Sequence, residues 1–372
     1  MLITRRRALA WTGAAAGAPV ILTACARGAG DAAYEAAQRR IWNTAPVVPA
    51  DPTAVMMELV RCATLAPSSH NTQCWKFRIG ARSVTILPDM ARRCPAVDPD
   101  DHHLFVSLGC ATENMVHAAR AHGLMADVRF DASGEGAVVV SFDPTRPMAS
   151  PLFDAIPQRQ CTRTEFDGQP VSTAELKLLE AAGTGAGVRV LLLTDRAAME
   201  RVLAYVVQGN SAQMNDPAFV QELKSWIRFS DDEAVNSGDG LFTRTSGNPS
   251  IPRGIGSPLF RLFYREGSEN DKYARQVRSS AGIAVFVPES EGPGDKAHWA
   301  EAGRCYERFA LQATALGLRH AHLNQPVEVA SLRPQFAASL GLGTHRPDLV
   351  VRFGRGALAP RSLRRPVGAV LV

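Results

Sequence analysis

A chain of 372 residues is long enough for a large buried core and for two domains or two fused halves. With 46% hydrophobic and 21% charged residues it has the composition of a soluble globular protein, and it has no short repeat, heptad run or polar low-complexity tract that would indicate a solenoid, a coiled coil or long disorder. The formal net charge of +5 is small and scattered, so charge alone gives no argument for nucleic acid.

The chain opens on a segment that reads as an export signal. In "TRRRALAWTGAAAGAPVILTAC", Arg5, Arg6 and Arg7 precede an apolar stretch rich in Ala and Gly, which ends in Leu22-Thr23-Ala24-Cys25. The arginines resemble a twin-arginine signal, a route that carries folded proteins, and "LTAC" resembles a lipobox, whose cysteine is acylated after cleavage. The apolar run is shorter than the roughly 20 residues a spanning helix needs. The expectation is an exported chain, periplasmic or on the outer face of a membrane and lipid-anchored at Cys25, with residues 26–50 as a linker. A cytoplasmic protein with a ragged basic amino terminus is the competing reading.

Helical and strand patterns then alternate, which predicts an α+β or α/β protein. After the helical "MMELVRCATL", "WKFRI" and "SVTILP" read as strands, and "FVSLGCATENMVHAARAHGL" as a helix closed by Gly123. "MADVRF" and "AVVVSF" read as strands, and "PTRPMASP" as a linker between a first lobe at 51–150 and a second at 151–372. The second lobe begins with the Ser/Thr-initiated helix "VSTAELKLLEAAG" and the strand "VRVLLLTD", followed by a helical stretch from Ala197 to about Phe229. A Gly-, Ser-, Pro- and Asp-rich tract, about 226–268, interrupts the pattern as a lid-like insertion.

The second half repeats the first. "LGCATENMVHAARAHGL" (108–124) lies over "AGRCYERFALQATALGL" (302–318) without a gap, matching Gly109 with Gly303, Glu113 with Glu307 and Gly123 with Gly317. Two alanine-rich helices ending in Gly-Leu also look alike by composition, and duplication is the preferred reading. The six cysteines after Cys25 (Cys62, Cys74, Cys94, Cys110, Cys161 and Cys305) have irregular spacing and no CxxC pair, which argues against a zinc ribbon or a redox dithiol and for buried thiols.

The densest chemistry is "APSSHNTQCW", residues 66–75. Its serines, its asparagine and the turn amides offer neutral donors and acceptors suited to the carbonyl and imide edge of a planar heterocycle or to its ribityl chain. It is not GxSxG, and His70 has no third partner for a triad. "GTGAGV" (183–188) precedes a strand instead of following one, so it is not a Rossmann fingerprint. "DPDDHH" (98–103) and "HAH" (320–322) contain metal-capable side chains, with His320 and His322 on one face of a strand, but no full ligand set; no metal is expected.

"APSSHNTQCWKF" closely resembles the APSxxNxQPW signature of the FMN-dependent nitroreductase family, and the chain from about Arg61 onward resembles its fused two-lobed, Acg-like branch. "IPQRQCTRTEFD" (156–167), "WAEAGRCYERFALQATALGL" (299–318), "AHLNQPVE" (321–328), "LVVRFGRG" and "SLRRPV" extend the resemblance in the family's order. It implies an α+β nitroreductase-like fold, two pseudo-duplicated lobes in one chain, and FMN bound without a covalent link. Flavin would lie between the serine loop (Pro67, Ser68, Ser69, Asn71) and the second half. That half supplies an Arg-x-Ser-x-Arg/Lys segment read as Arg159, Thr162 and Arg163, then Asn324 and Gln325 under the ring, and Arg361, Arg364 and Arg365 near the carboxyl end. Arginine forks suit a phosphomonoester, and 351–372 holds five arginines and no acid. A solvated basic tail or a membrane-surface contact is the alternative for that stretch.

The mirror site lacks both halves: "AAGTGAG" has no Ser-Ser-x-Asn pattern and "PADPTAVMM" no base, which predicts one FMN per chain. Cys74 stands where the family has proline, leaving the rigidity of the loop open. No catalytic side chain is singled out, because in this family the flavin carries the chemistry. The resulting expectation is an FMN oxidoreductase with a ping-pong cycle from an unknown electron donor to a small nitroaromatic or quinone-like acceptor, acting as a monomer. A flavin-storing protein with a covered site is the alternative.

Overall fold

The computed structural model describes residues 19–42, 51–289 and 295–372. Arg5, Arg6 and Arg7, read as part of an export signal, lie outside the described residues, and so does the side chain of Cys25. Helix α1 (Pro19–Trp42) occupies most of the stretch read as a linker from 26 onward. It is held by real packing: Tyr34 and Ala37 are buried against Ala234, Phe242 and Leu363.

The first lobe is α2 (Pro52–Thr64), β1 (Trp75–Ile79), β2 (Ser83–Pro88), α3 (His102–Ala121), β3 (Leu124–Asp131) and β4 (Ala137–Pro144). After α4 (Pro151–Ala155) comes the second lobe: α5 (Thr173–Gly183), β5 (Val188–Leu193), α6 (Arg196–Met214), α7 (Pro217–Trp226), β6 (Ile227–Arg228), α8 (Asp231–Ser237), β7 (Leu241–Phe242), α9 (Arg253–Phe263), α10 (Glu266–Arg278), β8 (Gly282–Pro288), α11 (Lys296–Ala315), β9 (Arg319–His322), α12 (Gln325–Glu328), α13 (Arg333–Ser339) and β10 (Leu349–Gly354). Local chemistry sets several of these starts. Asp51 caps α2 ahead of a proline, Ser172 and Glu175 form a reciprocal capping box on α5, and Asp216 with Pro217 opens α7. That last cap divides the helical stretch expected from Ala197 to Phe229.

Two antiparallel sheets have the same order, β1-β2-β4-β3 and β5-β8-β10-β9. With β5, β8, β9 and β10 set against β1, β2, β3 and β4, the lobes share one topology, and α3 and α11 occupy the same place in each. The two helices cross at the glycines that the sequence repeat aligns. A Cβ on Gly109 would lie 1.9 Å from the Ala300 carbonyl oxygen, and one on Gly303 2.0 Å from that of Val106. The fold is therefore α+β and internally duplicated, with one core running from Trp75 and Phe77 through both central helices to Phe286 and Phe353.

Two features break the symmetry. Residues 80–82 join β1 to β2, whereas everything from α6 to α10, residues 196–278, joins β5 to β8; the insertion is thus much longer than the expected 226–268. The chain end also leaves the second lobe: the Phe77 amide donates to the Val370 carbonyl at 2.7 Å, and the Val372 amide to the Phe77 carbonyl at 3.0 Å. This return carries residues 355–370 past the serine loop. No described helix is long and apolar enough to cross a membrane.

Glu113, on α3, joins the halves electrostatically, facing Arg304 (3.0 Å) and Arg308 (3.1 Å) of α11 and His117. Burial opposes its ionised form, but His117, Arg308 and Arg304 outweigh burial and lower its pKa to about 2. Because the folded value lies below the unfolded one, this contribution is complete above about pH 4.5 and is lost as pH falls through about 2. Glu113→Gln should therefore lower stability at neutral pH by on the order of 3 kcal/mol and flatten the acid limb of a urea-midpoint-versus-pH curve. An acid limb identical to wild type would show that Glu113 is not held ionised by these partners.

Candidate functional site

The loop after α2 is built against its own backbone preferences. His70, Asn71 and Gln73 have positive φ (48°, 52° and 53°), which costs free energy for residues bearing a Cβ and persists only where neighbours hold the conformation. The neighbours are all present. Ser68 Oγ accepts from the Gln73 amide at 2.9 Å. Asn71 Nδ2 donates to the Gly240 and Leu363 carbonyls, and Gln73 Nε2 donates to the Gly238 carbonyl, while its Oε1 accepts from the Arg365 amide. The insertion and the chain end thus pin the loop from two sides.

Beneath it lies a cavity of about 600 Å³. The first lobe lines it with Pro67, Ser68, Ser69, His70, Ser107 and Cys110, and the second with Cys161, Arg163, Tyr306, His322, Asn324 and Gln325. The insertion covers it with an aromatic and aliphatic wall that includes Phe219, Phe229, Phe242, Phe260, Tyr264 and Tyr273. Six of the residues read from the sequence therefore meet here: Pro67, Ser68, Ser69, Arg163, Asn324 and Gln325.

The other six do not reach the cavity wall. Asn71 spends its side chain on the carbonyls above and on Arg364. Thr162 is fully buried and donates to Gln160 Oε1; in the extended segment Cys161 and Arg163 face the cavity and Thr162 faces away, so the serine position of the Arg-x-Ser-x-Arg pattern belongs to Cys161. Arg159 is buried against Glu307 at 3.0 Å and donates to the Leu65 carbonyl. Arg364 donates to the carbonyls of Thr64, Leu65 and Ala66 and to Asn71 Oδ1, making it the clamp that ties the end of α2 to the loop. Arg361 donates to the Pro157 and Gln158 carbonyls and stacks on Trp42, and Arg365 donates to the Ala369 carbonyl. Burial first, then the neighbouring Arg159, lowers the pKa of Arg364 to about 9 and that of Arg361 to about 10.

Arg163 is different. Among the described residues no hydrogen bond or ion pair engages its half-buried guanidinium, and Lys272, which sequence reasoning passed over, adds a second cation to the wall, 3.7 Å from Glu269. Gln325 Oε1 is buried with no hydrogen-bond partner, whereas Asn324 Oδ1 accepts from the Val350 amide. Burial, then Arg163 and His103, lowers the His70 pKa to about 4, so a neutral imidazole faces the cavity.

Sequence reasoning also missed a cluster at the cavity floor. Tyr306 Oη lies 3.8 Å from Cys161 Sγ and 3.2 Å from His320 Nδ1, and the Tyr306 and His322 rings are 4.7 Å apart. Burial would raise the Cys161 thiol, but His320 and His322 outweigh it and hold it well below the ordinary thiol range. Spacing alone carried half of this signal, since His320 and His322 do share one strand face. Cys74 is off the cavity, buried, and raised by that burial to about 11; all six described cysteines are free. In "DPDDHH", Asp98 caps α3 through the His103 and Leu104 amides and Asp100 pairs with Arg333 and Arg346. A His70 ring nitrogen, Cys94 Sγ and a Glu222 oxygen also come within 4.8 Å of one another, with both Glu222 oxygens already accepting from the Ala96 and Val97 amides.

The fold and site define an α+β protein of two like lobes with a polar-floored, apolar-roofed cavity between them. In sequence the chain is 27% identical over 304 residues, 78% of its length and 82% of theirs, to two Mycobacterium tuberculosis proteins, "Putative NAD(P)H nitroreductase MT3217" of strain CDC 1551 / Oshkosh and "Putative NAD(P)H nitroreductase Rv3131" of strain H37Rv. Among solved structures, similarity is found to the FMN-dependent nitroreductase NfnB from Mycobacterium smegmatis in complex with NADPH (TM-score 0.39, 14% identity, 59% of this chain and 96% of that one). It is also found to a nitroreductase with bound FMN from Desulfitobacterium hafniense DCB-2 (TM-score 0.37, 14% identity, 59% and 96%). No family model matches the chain.

Proposed function

We propose that the chain is an FMN-dependent oxidoreductase of the nitroreductase type and that the cavity between the lobes is its flavin site. The observation that carries this reading is the cavity's combination of a free Arg163 guanidinium, an unpartnered buried Gln325 oxygen, and paired serine hydroxyls under an aromatic wall. A volume of about 600 Å³ falls in the range of small-molecule and cofactor sites. Arg163, with Lys272 as a second cation of the cavity wall, meets the phosphate; Ser68 and Ser69 meet the polar edge or the ribityl chain; the Asn324–Gln325 segment supports the ring. Bound there, FMN supplies two-electron transfer in a ping-pong cycle, from a donor to a nitroaromatic or quinone acceptor. The residues' own work is to hold the ring, exclude water through the phenylalanine roof, and keep His70 uncharged beside it.

One flavin per chain follows from the asymmetry. At the mirror position the chain from Thr184 to Gly187 is a short, largely exposed turn closed by the Gly185–Val188 backbone pair, with no Ser-Ser-x-Asn loop. The likeness of the Acg-like branch and the export route remain part of the proposal: a twin-arginine path delivers the chain with flavin already bound, and Cys25→Ser should release it from membranes into the soluble fraction.

Turnover is tested without assuming a donor. The flavin of the purified protein is reduced with dithionite under nitrogen, and reoxidation by a benzoquinone or a nitrofuran is followed at the flavin absorbance band. Rapid reoxidation, saturating in acceptor, is expected. Reduced flavin that reacts with neither, while FMN released from the same sample does, would instead indicate the storage reading.

A further inference from the structure

We infer that helix α9 of the insertion rests on an anionic lipid bilayer surface through its exposed apolar stripe. Eight large apolar side chains among the described residues are well exposed, and three of them are on this one helix: Ile255 (56%), Leu259 (37%) and Leu262 (52%). Their spacing, i, i+4 and i+7, puts them on one stripe. From Gly247 to Arg265 the chain contains Arg253, Arg261 and Arg265 and no acidic residue. An apolar stripe on an acid-free, arginine-flanked helix is the pattern of an interfacial helix, and it is too short to span. Arg253 is already paired with Glu233, whereas no described residue pairs with the exposed side chain of Arg265.

Two placements single out a membrane. Helix α1 docks on the same insertion: its Asp31 pairs with Arg244, and Tyr34 packs on Phe242. The helix that contains Cys25 thus packs on the same insertion that carries the α9 stripe. A single acyl chain gives only marginal attachment and a second interfacial element makes it stable, which supplies a reason for the stripe. Ile255 and Leu259 also line the cavity, so an apolar molecule leaving the bilayer meets apolar side chains from the interface inward.

The test uses the full chain carrying Cys25→Ser, so that no lipid anchors it, in co-sedimentation with phosphatidylglycerol vesicles and with phosphatidylcholine vesicles. It should partition onto the phosphatidylglycerol vesicles and be released by salt, and Ile255→Asp with Leu262→Asp should cut the partition coefficient at least about tenfold while the melting temperature is unchanged. Arg265→Glu should weaken binding at low salt alone. Absence of binding to either vesicle, or undiminished binding by the folded double variant, overturns the inference. A dimer seen by sedimentation velocity that the double variant splits overturns it as well, by assigning the stripe to a second copy. Vesicle binding is read on protein with and without FMN, so its outcome is separate from that of the flavin reading.

Discussion

Gly109→Ala and Gly303→Ala should each prevent the chain from folding to a stable product, or lower its stability by at least about 4 kcal/mol, read as loss of soluble yield or as a shifted urea midpoint. The added methyl carbon would sit 1.9 Å from the Ala300 oxygen in one case and 2.0 Å from the Val106 oxygen in the other, and both obstacles are helix backbone, not a side-chain tip that can turn aside. Relief requires α3 and α11 to part, and the buried residues of both lobes pack on these two helices. Gly317 serves as the control: it has positive φ but nothing within 4 Å, so Gly317→Ala should cost only about 1 kcal/mol. If Gly109→Ala and Gly317→Ala were equally mild, the close crossing would be wrong.

The second large effect is expected at Arg364. Arg364→Ala removes the donor shared by three carbonyls at the end of α2 and by Asn71, and leaves those acceptors buried, at a cost of about 3–5 kcal/mol by analogy with breaking other buried charged hydrogen-bond sets. Its flavin content should fall too, since the loop carrying Ser68 and Ser69 loses its clamp. Arg163→Ala separates the two roles. With no bond to lose, it should change stability by no more than about 0.5 kcal/mol and yet release flavin on dilution or dialysis. Equal losses of stability at both positions would place Arg163 in the frame and not at the ligand.

The two arginines also mark where sequence reading succeeds and where it stops. A guanidinium satisfies a phosphate or a set of helix-end carbonyls equally well, and which it meets is decided by the path of the chain end, set by pairing of Phe77 with Val370 some 290 residues away. Arg361 and Arg364, expected at the flavin phosphate, instead give their guanidinium groups to backbone carbonyls away from the cavity wall. Thr162 was misplaced for a local reason: in extended chain neighbouring side chains alternate, so a hydroxyl one position out of step faces the core while Cys161 takes the wall. The serine loop was legible because its turn chemistry is compact and local. The duplication was legible because Gly109 and Gly303 fill one steric role twice. The insertion was underestimated because α6, α7, α9 and α10 follow ordinary helical patterns, and nothing in them announces that they join two adjacent strands. Lys272 was missed because its neighbours in sequence are a solvated charge run, and only the fold of α10 brings it to the cavity.

The proposed function depends on one flavin between two unlike half-sites. The direct measurement is the amount and kind of flavin released by heat from purified protein after loading with excess FMN and gel filtration, for the wild type and for Arg163→Ala. One FMN per chain in the wild type, and clearly less in a folded Arg163→Ala protein, is the predicted result. Two FMN per chain, a preference for FAD, or a colourless wild-type protein that does not take up FMN would contradict it.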